Sequence, residues 1–253
     1  PDSPESSIFE RRQSMSVLGV GVLDEIDPAL IEARADPDDS NGDGISGSVH
    51  YIVDQHVQDV AQRRIGRFGW KAQVPSLAEF VRDALSGDMG MSLPMQDGHT
   101  FGYTHDDDNI ADPEISENDL SALTFYVAGL APPRPSDDEP IGANLFHEVG
   151  CADCHVPKLS PTMPVAAYTD LLLHDVSKST SWGIAEGSAR PEEYRTPPLW
   201  GLRDTAPYLH DGSAPTPHAA ILRHGGEARA TVERYQALSE TDQEYLLNFL
   251  MTR

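Results

Sequence analysis

Apolar residues recur at helical spacing in three stretches of this chain, and polar or helix-breaking residues bound each one. In residues 116–131, Leu120, Leu123, Phe125, Val127 and Leu130 supply the apolar positions. Ser116 with Asp119 makes a start resembling a capping box. Pro132, Pro133 and Pro135 stop this helix, and the acidic run Asp137-Asp138-Glu139 follows, so the best linker in the chain lies here. Residues 141–149 predict a short amphipathic helix carrying Leu145 and Phe146. Residues 239–250 predict a closing helix, capped by Ser239 and Asp242, with Tyr245, Leu246, Leu247, Phe249 and Leu250 as core candidates. A fainter echo links Val74-Pro75-Ser76-Leu77-Ala78-Glu79-Phe80-Val81 to Ala214-Pro215-Thr216-Pro217-His218-Ala219-Ala220-Ile221, each a proline-containing turn entering a helix. The expected division is residues 1–135 and 136–253.

At 253 residues the chain holds one large domain or two small ones. Twenty prolines and 20 glycines predict a loop-rich fold. A net charge of −23 argues against nucleic acid and anionic lipid as partners. It suits a solvated acidic surface first, with a basic redox partner as the alternative reading. No apolar run is long enough to span a bilayer. Pro1-Asp2-Ser3-Pro4 opens polar and acidic, unlike a signal peptide, so the chain reads as processed or as starting partway through a longer product.

The candidate chemistry sits in Gly150-Cys151-Ala152-Asp153-Cys154-His155, which uses both cysteines and follows them with a histidine. C-x-x-C-H is the attachment signature of haem c: the thiols form thioethers to the vinyl groups and the histidine ligates iron. A redox dithiol does not need His155, and half a zinc site lacks its second cysteine pair. One covalent haem is therefore expected. Covalent attachment of this kind is made outside the cytoplasmic membrane, so a periplasmic or extracellular location is expected. A helix leading into the motif and an apolar helix closing the chain is the plan of a small cytochrome c domain. The expected fold is mainly α: a cytochrome c-like haem domain, residues 136–253, preceded by a loop-rich, partly helical remnant of a second such domain.

Iron held by His155 takes a distal ligand or keeps an open site. On the same side of the linker the candidates are Met163, His174, Tyr208, His210, His218 and His224, and spacing alone does not choose among them. His224 ends a helix-like run from residue 217, just before Gly225-Gly226.

Several longer stretches carry a family resemblance. Residues 195–212, Arg-Thr-Pro-Pro-Leu-Trp-Gly-Leu-Arg-Asp-Thr-Ala-Pro-Tyr-Leu-His-Asp-Gly, resemble a block of the bacterial di-haem cytochrome c peroxidases and of the methylamine-dehydrogenase maturation enzymes. Residues 36–47, 66–72, 168–175 and 223–228 resemble more closely the di-haem oxidoreductase family of that superfamily. The likeness runs nearly end to end. It implies that the distal ligand lies at the end of the helix after the His-Asp-Gly turn, which is His224 here. Bis-histidine ligation by His155 and His224 would then be low-spin and of low potential, with no thioether to raise it. The same resemblance assigns His210 to hydrogen bonding near the haem pocket and Arg195 to neutralising a propionate. Members of the family carry two C-x-x-C-H motifs, whereas this chain has one. Peroxidase activity is therefore not carried over to this chain alone.

Residues 36–47 alternate oxygen ligands with glycines. Asp39, Asn41 and Asp43 fall at the first, third and fifth positions of a calcium loop, Gly44 at its sharp turn, and Ile45 offers a backbone carbonyl. Position twelve is His50 rather than a bidentate glutamate, so an Asx-rich turn without metal is the competing reading. Trp70, Trp182 and Trp200 are candidates for an electron path or for pocket walls. Lys71 and the Arg63-Arg64-Arg67 cluster are candidates for propionate pairing or for a solvated face. Three functions follow. The first is an electron-transferring cytochrome working with a redox partner protein or a second haem-bearing chain. The second is a peroxidase-like enzyme. The third is a haem and calcium subunit of an oligomeric assembly.

Overall fold

Two hydroxyls set the frame. Ser116 Oγ accepts from the Asp119 N–H at 3.1 Å and donates to the Asp119 carboxylate at 2.7 Å. Ser239 does the same with Asp242, at 3.2 and 2.7 Å, so reciprocal caps start the two longest helices. The computed structural model describes residues 9–53, 63–99, 101–135, 139–177 and 183–253. Its helices are α1 (Val20–Asp24), α2 (Pro28–Glu32), α3 (Leu77–Asp83), α4 (Glu117–Ala128), α5 (Pro140–Glu148), α6 (Pro217–Arg223), α7 (Arg229–Ala237) and α8 (Glu240–Met251). Two antiparallel strand pairs join them: β1 (Tyr51–Ile52) with β2 (Arg64–Ile65), and β3 (Leu173–Asp175) with β4 (Glu193–Arg195). The molecule is thus helix-rich with few strands. Strands so short leave no room for an alternating pattern, which is why the sequence did not announce them.

Helix α4 stops at Gly129 rather than running to residue 131, because the chain turns there and the Leu130 carbonyl is taken by the Gly19 N–H at 2.9 Å. Its apolar pattern also misled at one position: Leu120 is buried, but Phe125 is 82 % exposed.

One core is built from Leu23, Ile31, Phe68, Leu77, Leu93 and Leu120, and it draws in Met163, Leu171, Leu172 and Trp200 from beyond the linker. It therefore runs across the division at residue 135. The other core gathers Phe146, Tyr168, Tyr235, Leu246, Phe249 and Leu250 around the crossing of α5 over α8. Gly142 makes that crossing close. A Cβ there would stand 2.2 Å from the Tyr245 carbonyl oxygen and 2.6 Å from Phe249 Cβ.

The faint sequence echo has a backbone counterpart in the loop and the helix start. Phe68 pairs with Val74 in an isolated antiparallel bridge, and Tyr208 pairs with Ala214 in another. Positive φ recurs at Gly69 and Ala72 in the first loop and at Leu209 and Gly212 in the second. Ser76 then caps α3 and Thr216 caps α6, with φ of −140° and −137°. Ala84 and His224 stand at equivalent positions, but Ala84 keeps helical angles and opens a π-helical turn, Ala84–Asp88, whereas His224 leaves the helix.

Candidate haem site

The α5–α8 crossing delivers the chain to Gly150, whose φ of 90° suits glycine and whose missing Cβ leaves room for the Arg234 guanidinium, 2.4 Å from where it would stand. A single 3₁₀ turn, Cys151–Asp153, follows, and the His155 N–H closes back onto the Cys151 carbonyl at 2.9 Å. This places both thiols and the imidazole on one wall of a largely apolar cavity of about 280 Å³. Burial pushes the Cys151 thiol up to about 12, and it raises Cys154 as well. A redox dithiol needs the opposite shift, since the thiolate is the reactive form. The His155 Nδ1–H donates to the Tyr168 carbonyl at 2.9 Å, and Nε2 has no hydrogen-bond partner among the described residues. Burial, with a further contribution from neighbouring His224, holds the His155 pKa down to about 4, so the ring is a neutral ligand at pH 7.

His224 lines the same cavity. The backbone leaves the helix at this residue (φ −60°, ψ 142°), and its Nδ1–H donates to the Ala220 carbonyl one turn back at 2.7 Å. Its Nε2 is also without a hydrogen-bond partner among the described residues, and burial lowers its pKa. Both rings thus carry the backbone hydrogen bond that fixes the tautomer and orientation of a metal-bound imidazole.

The other distal candidates separate. Met163 is buried in the first core, with its carbonyl taken by Lys158. His218 bonds the Tyr235 hydroxyl at 2.7 Å. Tyr208 borders the cavity, but its hydroxyl donates to the Leu202 carbonyl at 2.7 Å. His174 lies between Asp170 and Glu227, 2.9 Å from each, and these carboxylates raise its pKa well above the ordinary value against the cost of burial. His210 is on the cavity wall. Its ring stacks on Tyr194 at 3.8 Å and meets Trp70 edge-on.

Arg195 is the cation of the site. It is buried, its pKa is pushed down to about 10 by desolvation, and its guanidinium finds the Gly69 carbonyl at 2.9 Å, the Thr196 carbonyl at 3.2 Å and Met15 Sδ at 3.0 Å. No carboxylate lies within ion-pair distance of it among the described residues. A buried cation of this kind calls for an anion.

The remaining basic residues do not form one solvated face: Lys71 and Arg67 are buried and Arg64 is half-buried, while Arg63 is exposed. Lys71 is fully buried and donates to the carbonyls of Arg190, Pro191 and Glu193. Its ammonium also sits 3.8 Å over the Tyr194 ring. Arg67 donates to the carbonyls of Leu23, Asp24 and Ile26. Arg64 pairs with buried Glu79, and Arg63 lies over Tyr51. Trp70 and Trp200 border the cavity, while Trp182 lies outside the described residues. Sequence reasoning missed Tyr194, whose role depends on Lys71 and His210 meeting it from distant parts of the chain.

In the Asp-rich loop the side-chain oxygens engage the loop's own backbone. Asp39 accepts from Gly44, Asn41 from Asp43, and Asp43 from Ile45, while Asp36 accepts from Ser40 and Asn41. Ile45 reaches the cavity wall.

The thiol pair beside an imidazole, the second unpartnered imidazole, the unpaired guanidinium and the apolar walls all fit a covalently held haem. Residues 5–253 match the model of the family described as "Di-haem oxidoreductase, putative peroxidase". The chain belongs to this family. It is therefore a haem redox protein of an oxidoreductase family. Among solved structures, a hydrazine synthase chain of Kuenenia stuttgartiensis is similar at 16 % identity and TM-score 0.50, covering 100 % of this chain and 98 % of that one. This similarity concerns the fold. A MauG-like protein associated with microbial copper homeostasis aligns at 16 % identity and TM-score 0.42, over 99 % of this chain and 94 % of that one. Comparison with curated proteins returned no match. Among the described residues no helix is long and apolar enough to cross a membrane.

Proposed function

We propose that this chain is an electron-transferring c-type cytochrome. Cys151 and Cys154 hold one haem, with His155 as proximal and His224 as distal ligand. The observation that carries the reading is the matched pair of half-buried imidazoles. Each is neutral, each is tied through Nδ1 to a backbone carbonyl, and each leaves Nε2 without a partner among the described residues, on the wall of the cavity that holds both cysteines. The bound haem supplies one-electron chemistry, and two nitrogen ligands without a thioether favour a low potential. Arg195 offsets the charge of a propionate. The apolar walls and Trp200 keep water away. His210, braced by Tyr194, lines the wall and does not ligate.

In this proposal residues 136–253 form the cytochrome domain, and residues 1–135 are the tail of a first unit built on the same loop-and-helix plan. That first unit has no cysteine, and it has Ala84, where its helix runs on into a π-helical turn, at the position where the second has His224. Electrons then pass to a redox partner protein or a second haem-bearing chain, in the periplasm or outside the cell. Calcium is proposed for the Asp-rich loop, where Asp39, Asn41, Asp43 and the Ile45 carbonyl would hold it.

The test is spectroscopic. His224→Ala converts a low-spin ferric spectrum to high-spin, while His210→Ala leaves the spin state unchanged. The reverse result would assign the distal position to His210 and end the present reading.

A further inference from the structure

Among the described residues His174 is the histidine whose two ring nitrogens both meet carboxylates, and none of the roles above requires it. It is 2 % exposed on β3, with Nε2 2.9 Å from Asp170 Oδ2 and Nδ1 2.9 Å from Glu227 Oε2. An imidazole that donates on both sides is protonated, so this is a buried charge held between two carboxylates. Hydrophobic replacement of such buried ion groups is often neutral or stabilising, so stability alone is a weak reason to keep one.

What the two carboxylates hold gives a stronger reason. Asp170 lies in a turn flanked by Tyr168 at φ 55° and Leu171 at φ 63°, a conformation that non-glycine residues adopt at some cost. The same turn presents the Tyr168 carbonyl to His155 Nδ1. The Asp170–His174 bond therefore pins the strained segment that aims the proximal imidazole.

On the other side, Glu227 sits in the turn Gly226–Ala228, directly after His224 and Gly225. Its Oε1 accepts from the Asp175 N–H at 3.0 Å, and the Gly225 N–H reaches the Val176 carbonyl at 2.9 Å. Gly226 lies so close to β3 that a Cβ would stand 2.1 Å from the Asp175 carbonyl oxygen. Glu227 thus locks the segment carrying the distal imidazole onto the strand that carries His174. A third arm reaches the Asp-rich loop: the Ser46 N–H and hydroxyl both donate to Glu227, at 2.9 and 3.1 Å, and Gly47 packs against the His174 ring.

We infer that His174 is a positioning residue that fixes the proximal and distal ligand segments from a single buried point, acting through Asp170 and Glu227. The inference rests on the proposed ligation by His155 and His224. It does not require His174 to touch the iron ligands.

The experiment compares ferric holoprotein of wild type, His174→Phe, Glu227→Gln, Asp170→Asn and His224→Ala by potassium cyanide titration and low-temperature EPR. Cyanide must displace His224, so its apparent affinity reports how firmly that ligand is held. Losing a buried hydrogen bond to a charged group corresponds to about a tenfold change, so His174→Phe is expected to bind cyanide about tenfold more tightly with shifted low-spin g values. Glu227→Gln shifts affinity in the same direction, and Asp170→Asn chiefly moves the g values. His174→Phe holoprotein with wild-type cyanide affinity and g values overturns the inference. Should that variant retain no haem, the two carboxylate variants decide: a shift in either supports the inference, and wild-type behaviour in both ends it. If wild type itself binds cyanide as tightly as His224→Ala, the bis-histidine reading fails first and takes the inference with it.

Discussion

Replacing Gly142 by alanine sets two effects of opposite sign against one another. Within α5, alanine is the better helix former by about 1 kcal/mol, so an unhindered position would gain stability. At the crossing with α8 the added methyl carbon would stand 2.2 Å from the Tyr245 carbonyl oxygen and 2.6 Å from Phe249 Cβ. Both obstructing atoms are backbone or attached directly to it, so no side-chain rotation relieves the contact, and the helices must separate. Overpacking of this kind costs about 1–3 kcal/mol, and a backbone obstruction puts the cost at the upper end. The net expectation is a loss of about 1–2 kcal/mol. For a chain of this size that lowers Tm by roughly 2–8 °C. Gly87→Ala, in the π-helical turn Ala84–Asp88 that continues α3, is the steric control: the nearest atom to its Cβ would be Asp83 Oδ1 at 3.7 Å, so the methyl meets no obstruction. Calorimetry on both variants decides the matter. A Gly142→Ala protein as stable as wild type, beside a well-behaved Gly87→Ala, would refute the claim that close helix contact positions the C-x-x-C-H segment.

Protein made without haem should lose stability in acid through His155. Its folded pKa of about 4 lies below the ordinary 6.5, so the unfolded chain takes up the proton first. The contribution is fully present above pH 6.5 and declines by up to about 3 kcal/mol as pH falls to 4, an acid limb that urea midpoints should show reduced in His155→Phe. Arg195→Leu removes a buried positive charge beside the cavity and should lower the midpoint potential by something on the order of tens of millivolts in spectroelectrochemical titration, because ferric haem carries the extra charge. Calcium should raise Tm relative to chelator-treated protein, and Asp39→Ala with Asp43→Ala should abolish the difference. Equal Tm values in calcium and chelator would leave the loop closed by its own backbone hydrogen bonds.

The sequence by itself determined what rests on short-range chemistry. Cys151, Cys154 and His155 declare themselves because C-x-x-C-H is the spacing that thioether attachment of a haem demands. The starts of α4 and α8 were legible because Ser116–Asp119 and Ser239–Asp242 are local, reciprocal caps. The echo between residues 74–81 and 214–221 was visible but thin. Its backbone repeat lies in φ angles and bridge pairings, which different side chains realise equally well: Gly69 in one loop and Leu209 in the other. Tertiary structure alone decided the rest. Burial of Phe125 depends on what packs against α4, and Arg67 and Lys71 look solvent-facing until the carbonyls they bond are folded around them. Spacing alone did not separate His210 from His224. They differ in the fold because a stacking ring braces one, while a helix turn supplies the other with a backbone acceptor. The meeting of Ser46, Asp170, His174 and Glu227 joins residues far apart in the chain, and no local pattern encodes such an encounter.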